Sequence, residues 1–333
     1  MLRVINYNEN MSDLWDDFVL SHSINGTFLQ TRRFLNYHPK DRFQDSSLMI
    51  FDGEQLVSVI PGCLEEESGV RVFYSHKGSS YGGLIIDRKH YRCERLLDII
   101  QAADCYFEDN FDKAVLKITP DMFSKENSDL LVYCLWSKGY EHYNELSTYI
   151  DLKSVPDDVK ASFDRNKNRN IRKCEELGLT FAELNTPEEI AKFHNLLSIN
   201  LSKHNVKPVH SIPELIDLKY NRFNDVIKFF GVYLGDNIVA AGMLFDFANS
   251  VLHAQNLSYD YRINGYSPIT YLYYKVIEYG KKQNYDFVSW GISTEDKGQK
   301  LNLGLIRNKE SFNSKYQINR TFFKSFNHNE IIV

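Results

Sequence analysis

Residues 251–291 of this 333-residue chain, VLHAQNLSYDYRINGYSPITYLYYKVIEYGKKQNYDFVSWG, decide its fold. They predict an apolar strand at 251–257, a polar turn, a helix, and a second apolar strand at 287–290. Ser267 is a favourable helix N-cap, and Pro268 suits the first helical position because an N–H group is not needed there. Apolar side chains then recur every three or four positions, which predicts one buried helix face: Ile269, Leu272, Tyr273, Val276 and Ile277.

The turn Arg262-Ile-Asn-Gly-Tyr-Ser267, between strand and helix, is a candidate anion site, because the free N–H groups of a helix start favour negative charge. The alternative is an ordinary strand–turn–helix with an arginine on the surface. Arg262-x-x-Gly265-x-Ser267 resembles the Arg/Gln-x-x-Gly-x-Gly/Ala signature of the GNAT acyltransferases, whose turn holds the pyrophosphate of an acyl-coenzyme A. The resemblance implies donor contacts from Arg262, Asn264, Gly265, Ser267 and Tyr271.

The same order of elements, helix–hairpin–strand–helix–strand, is predicted twice. The hairpins are residues 47–60, which turn at Asp52-Gly53, and residues 229–244, which turn at Gly235-Asp236. In the first copy the other elements are a helix at 12–21, a strand at 70–74, a helix with the apolar stripe Leu96, Ile99, Ile100, Ala103 and Phe107, and a strand at 114–118. In the second copy they are a helix at 187–202 and the strands and helix of residues 251–290.

Two such units in one chain resemble the FemABX group and the acyltransferases related to it. Residues 170–180 look like the basic helix and strand that open the second unit of those proteins, and Lys309-x-x-Phe312 looks like the segment after their last core helix. The resemblance implies a mixed α/β fold of two tandem GNAT-like domains, each with a mostly antiparallel sheet flanked by helices. It also implies that Lys309 neutralises a substrate phosphate, the alternative being a solvent-facing lysine.

The predicted domains are residues 1–155, a degenerate copy that shapes the acceptor cleft, and residues 156–333, which bind the donor. The first copy lacks Arg-x-x-Gly-x-Ser, and its turn at 75–83 leads into an apolar strand rather than a helix. His76, Lys77 and Tyr81 are the side chains predicted to line the acceptor cleft.

Composition bounds the class of protein. The hydrophobic fraction of 43% and the charged fraction of 25% are those of a soluble globular chain. We expect no transmembrane segment and no signal peptide, since no long uncharged apolar run occurs and the N-terminus lacks a basic and an apolar region. Five scattered cysteines without a Cys-x-x-Cys pair predict a reduced, cytoplasmic protein with no metal site. The resemblance to the FemABX group implies a bacterial source. The net charge of −5 argues against DNA binding.

Basic residues crowd into a predicted helix at 156–177 despite the acidic average. One interpretation is a solvated helix face. The other is a contact with phosphates, through Arg169 and Arg172, on coenzyme A, a nucleotide-sugar, a lipid-linked precursor or a tRNA acceptor stem.

Acyl transfer to an amine requires alignment of the reactants, hydrogen-bond donors for the oxyanion and a proton acceptor. The GNAT resemblance implies that backbone N–H groups of the strand before the turn stabilise the oxyanion, so no covalent nucleophile is needed. His253, on that strand, is the base we name first, although a lone buried histidine is often a core residue. Ser258 and Tyr259 are alternatives that orient the acceptor. Many GNAT enzymes carry a Tyr after the next strand that protonates the leaving thiolate, and residues 291–296 contain none. In this chain Tyr266, Tyr271 or Tyr316 would have to take that role.

Three functions remain open. The favoured one is a cytoplasmic N-acyltransferase that moves an acyl group from acyl-CoA, acetyl-CoA first, to an amino sugar or amino acid of a surface-glycan or cell-wall precursor. Coenzyme A is then a co-substrate, with no permanently bound cofactor, and the enzyme contacts a lipid-linked precursor at most peripherally. The second is a FemABX-type aminoacyltransferase that uses aminoacyl-tRNA and extends a peptidoglycan stem peptide. The third is an inactive binding protein.

Overall fold

The computed structural model describes residues 2–203, 205–248 and 250–326. Its strands are β1 Leu2–Asn6, β2 Gln44–Asp45, β3 Leu48–Asp52, β4 Gln55–Ile60, β5 Cys63–Glu67, β6 Val70–Ser75, β7 Ile85–Ile86, β8 Lys113–Lys117, β9 Glu141–Asp151, β10 Thr180–Glu183, β11 Ile227–Leu234, β12 Asn237–Phe247, β13 Val251–Tyr259, β14 Phe287–Ile292, β15 Thr294–Glu295, β16 Lys300–Leu301 and β17 Lys315–Ser325. Its α-helices are α1 Ser12–Asp17, α2 Arg32–Leu35, α3 Cys93–Asn110, α4 Asp129–Ser137, α5 Arg165–Glu176, α6 Pro187–Ser202, α7 Ile212–Ile216, α8 Pro268–Lys282 and α9 Leu303–Glu310. Among the described residues, none of the helices has the length and apolar character needed to cross a bilayer.

The chain divides into two compact units. Unit 1 extends to Asn144 and resumes at Ile318, and unit 2 comprises Glu145–Gln317. The sequence-based division at 155/156 lies later in the chain, and it assigns the last strand to the second domain. Strand pairing explains the difference: residues 147–151 of β9 pair with β14 in unit 2, and residues 321–325 of β17 pair with β8 in unit 1.

Unit 1 contains two sheet segments. One has the order β1-β3-β4-β7, and the other contains β17, β8, β6, β5 and β2 in that order. The hairpin β3–β4 turns at Asp52-Gly53 as predicted, with Gly53 at φ +57°. The five apolar positions predicted along α3 are all buried, so the helical periodicity correctly identified the face that packs into the core.

The strand β6 differs from the position expected from the repeat. In unit 2, the strand β13 pairs with both β12 and β14. In unit 1, β6 pairs with β8 and with β5, whereas β7 takes the place beside β4. The insertion of β5 after the hairpin therefore divides the role of one strand between β6 and β7.

Unit 2 forms a mixed sheet in the order β10-β11-β12-β13-β14-β9, in which the only parallel neighbours among the described strands are β13 and β14. Helix α8 begins at Pro268, as predicted, and buries Leu272, Val276 and Ile277 fully. The basic helix α5 begins later than predicted, at Arg165. Phe163 is extended, at φ −96° and ψ 153°, because its ring packs against Phe312 in the core, and this ends the short 3-10 turn before the helix.

Candidate functional site

The parallel strands β13 and β14 form a fork in unit 2. Within the described chain they pair only where Val251–His253 meets Phe287–Ser289. Beyond this point β13 follows β12 to Tyr259, and β14 follows β9 to Ile292. A β-bulge at Gln255 shifts the register of β13 just past the paired region, which redirects its backbone. A cleft between diverging parallel strands is a common ligand site, so the fork is the candidate acyl site.

The turn after β13 presents a helix N-terminus. Ser267 occupies the N-cap, but its Oγ pairs with Thr270 Oγ1 at 2.8 Å rather than with a backbone N–H group. Gly265 has φ +91°, and a Cβ atom added there would meet no heavy atom within 4 Å. The turn therefore leaves open space at Gly265, just before the helix N-terminus, where an anion is favoured.

Arg262 is paired within the turn itself. Its Nε and Nη2 donate to the two carboxylate oxygens of Asp260, at 2.8 and 2.7 Å, and this hydrogen bonding lowers the pKa of Asp260. Asn264 Nδ2 donates to Arg262 O at 3.2 Å, so its side chain braces the turn. The guanidinium is therefore neutralised, and an anion bound here must share Arg262 with Asp260. Asp260 was not predicted from the sequence, although an acid two residues before an arginine in a turn was a usable signal.

The basic helix α5 reaches this turn. Lys173 Nζ donates a hydrogen bond of 3.4 Å to Gly265 O, and Cys174 Sγ lies 3.6 Å from Ser267 O. Arg169 and Arg172 are exposed on the same helix, where Arg169 contacts Asn166 and Arg172 pairs with Glu176 at 3.7 Å. Lys173 belongs to the basic segment noted in the sequence, but its contact with Gly265 was not predicted, because it joins residues 92 positions apart.

Tyr271 lies in the core rather than on the surface of the turn. It is buried, and its hydroxyl donates to Leu179 O at 3.2 Å. A contact between Tyr271 and a donor remains a prediction, and it requires this hydroxyl to exchange its partner.

A buried histidine and a buried lysine meet at the fork. His253 Nδ1 lies 3.0 Å from Ser289 Oγ, and burial, followed by the charge of Lys309, lowers its pKa to about 4. Lys309 Nζ donates to Gly291 O at 3.0 Å, to Ile292 O at 2.9 Å and to Ser293 Oγ at 2.9 Å. Burial lowers the pKa of Lys309 to about 7, so this group exchanges its proton near neutrality.

Lys309 does not face solvent, since its exposed fraction is 2%. All three ammonium protons have acceptors in the end of β14 and the residue after it. Binding of a substrate phosphate by Lys309 therefore remains a prediction that requires the side chain to leave these partners.

The other candidate catalytic side chains lie elsewhere on β13. Ser258 is buried, and its Oγ donates to Ala241 O at 3.3 Å. Ser258 lies five positions after His253, which is roughly 16 Å along a strand, so the two side chains are too far apart to act on one atom. Tyr259 is partly buried, and the Lys203 ammonium lies 4.8 Å from its ring centroid.

In unit 1, the three side chains predicted to line the acceptor cleft have different surroundings. His76 is buried, its Nδ1 accepts from Gly78 N at 3.0 Å, and burial lowers its pKa to about 4. Lys77 pairs with Glu65 at 3.0 Å. Tyr81 is buried against Phe123. His76 alone of the three borders the cavity of about 590 Å³ in this unit.

Comparisons with known proteins agree with this geometry. Residues 161–297 match the family model of the acetyltransferase (GNAT) domain, which is less than half of the chain. A FemX crystal structure covers 96% of this chain and 96% of its own at 12% identity, with a TM-score of 0.68. A tandem GNAT protein from the clavulanic acid biosynthesis pathway covers 99% of this chain and 100% of its own at 9% identity, with a TM-score of 0.57.

A third structure, L-PGS from Bacillus licheniformis, covers 82% of each chain at 12% identity, with a TM-score of 0.55. No curated protein matches the chain. At such identities the structural matches establish the fold, and they confirm the predicted arrangement of two tandem GNAT-like units. The acyltransferase class predicted from the sequence is confirmed by the domain match.

Proposed function

We propose that this chain, a GNAT-type acyltransferase with the tandem fold seen in FemX, moves an acyl group from acyl-CoA to an amine. The acceptor is an amino sugar or amino acid unit of a surface-glycan or cell-wall precursor, and acetyl-CoA is the first donor to test. The observation that carries the proposal is the combination, in unit 2, of the bulged fork at Gln255 with the open helix N-terminus at Gly265. The fork suits the thioester group of acyl-CoA, and the helix N-terminus suits its pyrophosphate.

The chemistry is direct transfer. The acceptor nitrogen attacks the thioester carbonyl carbon, the C–N bond forms, the C–S bond breaks, and coenzyme A leaves as a thiolate. Beyond His253 the edge of β13 that turns toward β14 has no strand partner in the described chain, so its N–H groups are available to stabilise the oxyanion. The nitrogen loses one proton to a base at the fork, and the thiolate gains one.

Two buried groups compete for the role of base. His253 is neutral over the physiological range, because its pKa is near 4, and it can accept a proton only transiently. The pKa of Lys309 is near 7, which is better matched to the operating pH, but its ammonium already serves three acceptors. We retain His253 as the base and assign Lys309 to holding β14 in place.

Tyr266 is the best placed of the three tyrosines considered as the acid for the thiolate. The hydroxyl of Tyr271 donates to Leu179 O, and that of Tyr316 donates to Glu310. Tyr266 lies partly buried in the donor turn, one residue after Gly265.

A second candidate is an aminoacyl-tRNA-dependent transferase. The observation that favours it is the basic helix α5, which carries exposed Arg165, Arg169 and Arg172 and reaches the donor turn through Lys173. The shared phosphate chemistry does not distinguish a nucleotide thioester from an RNA end.

Calorimetric titration of acetyl-CoA tests the proposal. The wild-type protein is compared with Gly265→Asp, which places a carboxylate at the anion site. Gly235→Asp is the matched control, since Gly235 also has positive φ and open space around it, but lies in the β11–β12 hairpin. We expect micromolar binding that is lost in Gly265→Asp and kept in Gly235→Asp. A folded wild-type protein that does not bind acetyl-CoA overturns the coenzyme A donor, and aminoacyl-tRNA is then tested.

A further inference from the structure

A line of positive charge runs from the donor turn along one face of α5. Arg165, Arg169 and Lys173 are spaced by four residues, so they share a face and lie about 6 Å apart along the helix axis. All three are exposed. The line begins at the turn itself, because Lys173 Nζ contacts Gly265 O.

These three cations lack a carboxylate partner, whereas Lys160 and Arg172 have one. Lys160 pairs with Glu175 at 3.1 Å, and Arg172 pairs with Glu176 at 3.7 Å. In the described residues no carboxylate lies within ion-pair distance of Lys173, Arg169 or Arg165, and the Lys173 ammonium rests on a backbone carbonyl instead. Uncompensated cations beside an anion site attract a ligand with further negative charge.

A groove of about 900 Å³ lies along the same helix. Arg165, Asn166, Arg169 and Arg172 border it, as do Lys160, Asp158 and Glu175, and Lys173 lies beside it on the side of the turn. The groove therefore brings amide and guanidinium donors to one concave surface, which is suited to a phosphate and its attached sugar.

We propose that Lys173 and Arg169 bind the 3′-phosphate of a coenzyme A donor, so that α5 selects 3′-phosphorylated over 3′-dephosphorylated coenzyme A. This inference rests on the proposed function. In coenzyme A the 3′-phosphate is carried by the ribose attached to the pyrophosphate, so it lies one sugar away from the phosphates held at Gly265. The three unpaired cations extend over only about 12 Å of the helix axis, and this short span suits a compact polyanion better than an RNA backbone.

The test titrates acetyl-CoA and 3′-dephospho-acetyl-CoA, in parallel, into the wild-type protein and into the Lys173→Met, Arg169→Gln double variant. Both substituted side chains are exposed, so the fold is expected to persist, and circular dichroism checks it. Lys282→Met is the control, because Lys282 is also exposed but lies at the opposite end of α8 from the turn. We expect the wild type and Lys282→Met to bind acetyl-CoA about tenfold or more tightly than the dephospho compound, and the preference to shrink as salt is raised.

The double variant is expected to bind acetyl-CoA and the dephospho compound equally, with the affinity that the wild type has for the dephospho compound. Equal affinity of the wild type for the two compounds overturns the inference and leaves the proposed function standing. A double variant that weakens both compounds by the same factor also overturns it, since the cations would then act on the pyrophosphate alone. Failure of the folded wild type to bind either compound overturns both the inference and the coenzyme A donor, whether or not a tRNA acceptor stem binds.

Discussion

Lys309 donates a hydrogen bond of 3.0 Å from Nζ to the carbonyl oxygen of Gly291, and so ties helix α9 to the strand β14 where that strand leaves β13. The ammonium is buried without a carboxylate partner in the described chain. A cation held in this way makes the fork sensitive to pH, and it links the stability of unit 2 to the geometry of its candidate acyl site.

The stability of the protein should rise with pH above neutrality because of Lys309. Its pKa is about 7 in the folded state and 10.5 ordinarily, so between these values the unfolded chain binds more protons than the folded one. The contribution of Lys309 to the unfolding free energy is fully gained above pH 10.5 and lost as the pH falls to 7, and it amounts to roughly 5 kcal/mol. Urea unfolding at several pH values measures it.

This rise of the unfolding free energy between pH 7 and pH 10.5 should disappear in Lys309→Met. Lys300→Met is the control, because Lys300 is exposed and paired with Glu295. If wild type and Lys309→Met show the same dependence of the unfolding free energy on pH, the ammonium of Lys309 is not desolvated as the structure indicates.

His253→Gln should lower kcat by about 100-fold or more, because a general base typically contributes at least that factor. Burial of His253 lowers its pKa to about 4, so the imidazole is deprotonated throughout the neutral range. The titration of His253 should therefore affect the wild-type pH–rate profile only near pH 4, and the acceptor amine contributes its own ionisation at higher pH. The profile is measured with an amino-sugar acceptor that supports turnover.

The acid limb of that profile identifies the base. A midpoint near pH 7 that shifts in Lys309→Met would assign the role to Lys309 and contradict the assignment to His253. Ser258→Ala tests the alternative on the same strand, and a loss of kcat as large as that of His253→Gln would place the chemistry farther along β13.

Asp260→Asn should tighten acetyl-CoA binding by a few-fold to about tenfold. The substitution removes a negative charge beside the proposed pyrophosphate site and frees the guanidinium of Arg262, whose two side-chain hydrogen bonds both go to Asp260. Calorimetry measures the affinity, and Glu295→Gln, which breaks the exposed pair with Lys300, is the matched control.

A double variant, Asp260→Asn with Arg262→Ala, separates the loss of the negative charge from the release of Arg262. If the released Arg262 causes the tighter binding, the double variant does not bind acetyl-CoA more tightly than the wild type. Weaker binding by Asp260→Asn alone would mean that Asp260 orders the turn rather than competing with the ligand.

Gly291→Ala should reduce both stability and activity. Gly291 has φ +70°, a conformation that costs an alanine about 1 kcal/mol, and the added Cβ would lie 3.6 Å from His253 Cε1. Gly139→Ala is the control, because Gly139 has φ +81° and open space in unit 1.

Thermal unfolding should show a similar loss in both variants, while steady-state kinetics should show reduced activity only in Gly291→Ala. Equal activity of the two variants would show that the position of the Gly291 carbonyl does not matter for the acyl site.

Most elements were predictable because their signals are local. The start of α8 at Pro268, the turn of the hairpin β3–β4 at Gly53 and the buried stripe of α3 follow from caps, turn residues and periodicity within a few residues of sequence. The late start of α5 was not predictable, because Phe163 is drawn out of the helix by the distant ring of Phe312.

The candidate site was predictable only in part, because some of its contacts join residues far apart in the sequence. The strand, the glycine of the turn and the helix start lie within one continuous segment, so Gly265 and Ser267 could be identified from that segment. The contacts of Asp260 with Arg262 were within reach of sequence reasoning. The contacts of Lys173 with Gly265 and of Lys309 with Gly291 were not predictable, because the sequence does not distinguish a buried lysine from an exposed one.

By itself, the sequence determined the repeated core elements of the two units, the faces that α3 and α8 bury and the turn at 262–267, because backbone propensity and apolar periodicity act between neighbouring residues. The tertiary structure alone decided that α5 brings a cation to that turn, that β14 parts from β13 after Ser289, and that Lys309 is buried at the fork. These features depend on which surfaces pack together, and packing is settled by burial and hydrogen bonding between segments far apart in the chain.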